Sequence, residues 1–89
     1  MFREVRILPI RMNVEGYDVT ILEVVKSKPI NKDTWYHVVC YIEQGDKRTR
    51  IFSVDCRSWD EFKKKIKIEV SRLKIMRLLM GEKVWEILK

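Results

Sequence analysis

One histidine, two cysteines and three glycines bound the chemistry available to this chain of 89 residues. His37 lies in the β-rich run "TWYHVVCYIEQ" beside aromatic residues, a setting that suits a structural imidazole better than a general base. Asp55 and Cys56 close the next such run. A nucleophile needs a base within hydrogen-bond reach and a third group to orient that base, and no spacing in this sequence supplies the set. Two cysteines make neither a zinc quartet nor a disulfide framework, so Cys40 and Cys56 read as buried, unbridged thiols projecting to opposite faces of a sheet. Gly16, Gly45 and Gly81 each fall where a turn or a helix end is expected, which leaves no glycine-rich phosphate loop. The expectation is a protein without catalytic residues, metal or cofactor, not an enzyme, and with no legible small-molecule substrate.

Charge is the second kind of chemistry. The net charge is +6, and residues 57–89 hold ten bases against five acids, so most of the excess belongs to the last third. There "RSWDEFKKKIKIEVSRLKIMRLLMG" contains Glu61, Lys65 and Glu69 as an i, i+4 ladder, with Asp60 four before Lys64. Lys63, Lys67 and Lys74 share the other flank without such partners and are the bases free to meet phosphate. In the sheet-forming half, Arg48 and Arg50 alternate with Tyr41 and Phe52 on one predicted face, a pattern on which unpaired bases can stack. These two groups point to a small basic nucleic-acid-binding protein, of DNA or RNA, such as accompanies ribonucleoprotein or chromatin. The alternative is a homo-oligomeric protein-interaction module whose basicity is incidental. It rests on Ile68, Ile75 and Leu79, which share the side of the helix opposite its core stripe and predict a homodimer seam.

The elements that must position these residues follow from periodicity. "EVRILPIRM" and "YDVTILEVVK" alternate as strands around "NVEG". A four-residue loop there sets Met12 opposite Tyr17 and Arg11 opposite Asp18. The apolar phase slips near Pro9, which predicts a bulge on an edge strand. Gly45 and Asp46 form a two-residue hairpin signal. Continued without interruption, that register pairs Val39 with Phe52 and His37 with Val54, so that Tyr41, Arg48, Arg50 and Phe52 share a face. Ser58 and Glu61 form a capping box and Gly81 a stop, which predicts a helix over 58–80. Its core stripe is Trp59, Phe62, Ile66, Val70, Leu73 and Met80, with Met76 at the edge. The fold expected over 1–89 is a single α+β domain. It has a four-stranded antiparallel β-meander (3–55), one long C-terminal helix packed on a face, and a short helical tail (82–89) that packs back to bury Trp85.

No apolar run approaches the ~20 residues that span a bilayer, and the N-terminus lacks a signal-peptide core, which predicts a cytoplasmic protein without membrane partners. Alanine is absent while Lys and Glu are abundant. That bias resembles the composition of heat-loving organisms, and AT-rich coding would produce it too.

Overall fold

The computed structural model describes the backbone of residues 2–87 and the side chains of residues 9–87. Five strands form one antiparallel sheet: β1 (Phe2–Val14), β2 (Tyr17–Lys28), β3 (Trp35–Gln44), β4 (Lys47–Arg48) and β5 (Phe52–Cys56). The order is β1-β2-β3, with β4 and β5 both pairing with β3. They are two halves of a single fourth lane, so the meander has the expected shape. After the sheet comes the helix α1 (Trp59–Met80), then a 3-10 turn (Gly81–Lys83) and the one-turn helix α2 (Val84–Ile87). The fold is therefore α+β, one long C-terminal helix on an antiparallel sheet.

The first hairpin is tighter than the sequence suggests. Val14 pairs with Tyr17 and Met12 with Val19, so Arg11 faces Thr20 and Asp18 faces Asn13. The turn contains only Glu15 (φ 51°) and Gly16 (φ 90°), the two positive values that a mirror-image hairpin turn requires. Asn13 makes this possible: its carboxamide oxygen accepts from Gly16 N–H at 3.2 Å and its amide donates to Asp18 at 3.2 Å. The shift is by two residues, so the inward face is unchanged. Between Ile7 and Ile10 the register slips, placing the predicted bulge at Pro9 on the edge strand β1.

The second hairpin departs from expectation in a way that matters more. Gln44 pairs with Lys47 and Glu43 with Arg48, as expected, but beyond the break at 49–51 Cys40 pairs with Phe52 and Val38 with Val54. The lane has slipped by one residue, which exchanges its faces. Thr49 holds the slip. Its N–H donates to the Ile42 carbonyl at 2.8 Å, while its hydroxyl accepts from Ile42 N–H at 3.1 Å and donates to the Arg50 carbonyl at 2.9 Å. One side chain thus takes over a ladder position that the backbone vacates.

The core lies between the even-numbered face of β3 and α1. Val38, Cys40 and Ile42 meet Val54 and Cys56 from β5, Tyr17, Val19 and Ile21 from β2, and Phe62, Ile66, Val70 and Leu73 from α1. Ser58 caps α1 by accepting from Glu61 N–H at 3.1 Å. The ends of the predicted stripe lie outside the core, with Trp59 and Met80 exposed. α2 returns Val84 and Trp85 to the core, and the Trp85 ring lies 6.5 Å from that of Tyr17. Ile87 remains exposed, and Leu88 lies outside the described residues. At 1.5 Å per residue α1 is about 33 Å long, shorter than the 46 Å long axis of the molecule. No helix among the described residues is long and apolar enough to cross a membrane.

Candidate interaction surfaces

The register slip decides where the chemistry-bearing side chains go. His37 faces Asp55, and its Nδ1 lies 2.6 Å from the Asp55 carboxylate on the outer side of the sheet. Cys56, the next residue, points the other way into the core. The two cysteines thus project to the same face rather than to opposite ones, and both are free and buried. Burial, with Glu69 nearby, pushes the Cys40 thiol up to about 12, and burial raises Cys56 too. A thiol so shifted is a poor nucleophile, and Cys56 stands across the sheet from the His37–Asp55 pair. No group of three or more His, Cys, Asp or Glu suited to a metal ion occurs among the described residues.

The predicted sheet cluster divides. Tyr41 and Arg48 come together on the outer side, the guanidinium 5.3 Å from the ring centroid. Phe52, facing Cys40, packs against the core, and Arg50 lies in the irregular break. Arg50 and Phe52 instead line a cleft with Arg72, Glu69, Leu73 and Met76 of α1. Arg72 was not among the expected site residues, and only the bulge brings it beside them.

The lysine flank also changes character. Lys63 pairs with Asp60 at 3.5 Å, and Lys74 reaches Glu15 of the first hairpin at 3.1 Å. Lys65 holds Glu61 at 3.3 Å, as its spacing implies, whereas Glu69 pairs with Arg72 rather than Lys65. Among the described residues, Lys64 and Lys67 carry no ion pair. Of the three lysines expected on that flank, Lys67 is thus the one without an ion pair among the described residues.

The expected self-association residues are exposed. Ile68, Ile75 and Leu79 are 52%, 59% and 81% accessible, and Leu78 beside them 87%. At 100° per residue the first three form one stripe, directed away from Phe62 and Ile66, with Ser71 and Lys64 between or beside them. A second apolar surface was not anticipated from the sequence. Where α1 begins, Ile10, Ile21, Val24 and Val38 of the sheet and Trp59 and Phe62 of the helix border a groove of about 530 Å³. Its only advance signal was Trp59, an aromatic residue at the very start of the helix.

These features define a small α+β domain with two apolar surfaces and a basic helix. Searches against protein-family models, curated proteins and solved structures gave no match to this chain.

Proposed function

We propose that this protein is a non-catalytic protein-interaction module that works as a homodimer, with the outer stripe of α1 as its seam. The observation that carries this reading is the exposure of four large aliphatic residues on one side of a single helix. Burying such a side chain fully gains about 1.5–3 kcal/mol, and the chain's own core leaves that gain unused here.

A second copy of the chain fits the stripe better than an arbitrary partner. With a two-fold axis between Ser71 and Arg72, an antiparallel pair sets Ile68 of each copy against Ile75 of the other, and Lys64 against Leu79. The lysine-rich first half of one helix then meets the apolar second half of the other, so the lysines do not oppose themselves. The cations also approach the negative end of the partner helix dipole. Ser71, at the centre, is small enough for close approach, and the contact is reciprocal, as a closed dimer requires. Two buried, unbridged thiols suit a reducing compartment, and a cytoplasmic setting belongs to this reading.

The test is sedimentation of the parent and of Ile75→Lys and Leu79→Lys. The parent is expected to be a dimer and each variant a folded monomer. A parent that stays monomeric at high concentration overturns the reading, as does a variant that remains dimeric.

A second reading, nucleic-acid binding, is favoured by one arrangement: Arg50 and Phe52 share a cleft with Arg72, while on the same helix Lys64 and Lys67 have no ion pair among the described residues. A salt titration with duplex DNA, single-stranded DNA and RNA tests it. Arg50→Ala should weaken single strands more than duplex. Changing Lys64 and Lys67 to Gln should flatten the salt slope by up to about 2 for duplex. Absence of binding to all three nucleic acids at low salt removes this reading and leaves the dimer untouched.

A further inference from the structure

We propose that Lys65 is an autoinhibitory latch on the outer edge of β5: its ammonium group occupies a backbone carbonyl through which that edge would otherwise add the β5 strand of a second copy. The inference does not rest on the helix seam proposed above.

The sheet ends at β5, which among the described residues pairs with β3 alone. Which of its backbone groups look outward follows from the ladder. Ile42 directs both its N–H and its carbonyl at Thr49 in the fourth lane. Backbone groups alternate sides along a strand, so Cys40, Val38 and Tyr36 also face that lane and bond to their partners Phe52, Val54 and Cys56. Ser53 and Asp55 are left with their N–H and carbonyl groups directed away from the sheet. A strand pairing with both would gain about four ladder bonds.

The two edges of the sheet are closed by different means. β1 carries Pro9 at the register slip between Ile7 and Ile10, and a residue that cannot donate, set beside a bulge, spoils an added ladder. Phe52–Cys56 has neither device and pairs with β3 residue for residue. Its closure comes from α1. Lys65 Nζ donates to the Asp55 carbonyl at 2.5 Å, so an outward acceptor is already taken and a cation stands at the edge. Glu61 steadies the same ammonium at 3.3 Å. The Asp55 carboxylate does not share this task, because His37 holds it on the outer side of the sheet at 2.6 Å. Between the edge and α1 lies a cleft of about 300 Å³ bordered by Ser53, Asp55, Lys65, Ile68 and Arg72, so the helix itself leaves space beside the strand. A second β5 suits the opened edge. Across a two-fold axis at Val54, Ser53 of each copy faces Asp55 of the other, which keeps the two carboxylates from opposing each other and sets Val54 against Val54.

The experiment is amide hydrogen exchange read by NMR, with sedimentation, on the full chain carrying Ile75→Lys so that the helix seam is disabled. Sedimentation of the parent against that variant reports the seam alone. In the variant the Ser53 and Asp55 amides should exchange fast and those of Phe52, Val54 and Cys56 slowly, at every concentration. Adding Lys65→Met should make the chain self-associate, with exchange at Ser53 and Asp55 slowing about tenfold as the concentration rises. Lys65→Ala should do the same. Lys65→Arg keeps a cation at the edge, and Glu61→Gln removes the ion pair but not the carbonyl contact, so both should leave the edge closed. A Lys65→Met chain that stays monomeric with unaltered exchange overturns the inference, as does equal association of Lys65→Arg or Glu61→Gln. Association of Lys65→Met but not Lys65→Ala overturns it by making the added apolar side chain the cause. Association without slower exchange at Ser53 and Asp55 overturns it as well, because the contact would then lie away from β5.

Discussion

Arg77 and Glu82 meet across the glycine that ends α1, the guanidinium donating twice to one carboxylate oxygen at 3.0 and 2.7 Å. The same guanidinium donates to the Tyr17 hydroxyl at 3.1 Å and to the Gln44 side-chain carbonyl, while the other Glu82 oxygen accepts from the Trp85 indole at 2.9 Å. Gly81 permits this, because at φ 65° it turns the chain sharply enough for residue 82 to face residue 77. One arginine thus ties both hairpins and the tail to the end of the helix.

Arg77→Met should therefore release the tail while leaving the sheet formed. Trp85 emission is expected to shift to the red and the thermal midpoint to fall, measured against Trp85→Ala. The latter removes a buried aromatic residue and should cost about 3–5 kcal/mol. An unchanged Trp85 spectrum in Arg77→Met would mean that packing alone seats the tail.

Acid should loosen the same junction. The Arg77 hydrogen bonds hold the Glu82 carboxyl below its ordinary value of 4.5. A carboxyl lowered in the folded state stabilises the fold fully above its unfolded value and loses that contribution as the pH falls through the folded one. The midpoint should therefore fall more steeply below about pH 4.5 in the parent than in Glu82→Gln, which has no such proton to bind. Parallel pH profiles would count against the junction.

Thr49→Val tests the register slip. It removes the acceptor for Ile42 N–H from a site only 7% exposed, leaving a buried donor unpaired. The expected cost is about 1–3 kcal/mol in chemical denaturation, with faster hydrogen exchange at Ile42. If exchange at Ile42 is unaltered, a neighbouring group has replaced the hydroxyl and the lane is held otherwise.

Ser58→Ala removes the cap of α1 and should cost about 0.5–2 kcal/mol. Because Ser58 lies beside Trp59 at the groove, the Trp59 emission should move with the loss of helix, a pairing that a distant structural effect would not give.

The helix was legible in detail because its signals are local. Ser58, Glu61 and Gly81 act on the backbone within one turn of themselves, and the 3.6-residue period of Phe62, Ile66, Val70 and Leu73 needs only a sheet to face, whichever sheet it is. The bulge at Pro9 was legible for a similar reason, since a residue that cannot donate has few places in a ladder. The exposed stripe, Ile68, Ile75 and Leu79, was visible as apolar residues that the core stripe does not use.

The sequence by itself determined the α+β class, the order of the elements, the helix bounds and the excess of positive charge near the C-terminus. Tertiary structure alone decided which side chains share a face beyond the second hairpin. A β-ladder repeats every two residues, so the single extra residue stored at Thr49–Ile51 moves Phe52 to the core, parts it from Tyr41, and aligns Asp55 with His37. It also alone decided that Lys74 would reach Glu15, fifty-nine residues away, and that a groove would remain beside Trp59. Those outcomes depend on how far α1 extends over a sheet whose register the bulge has already set, and no local periodicity encodes that distance.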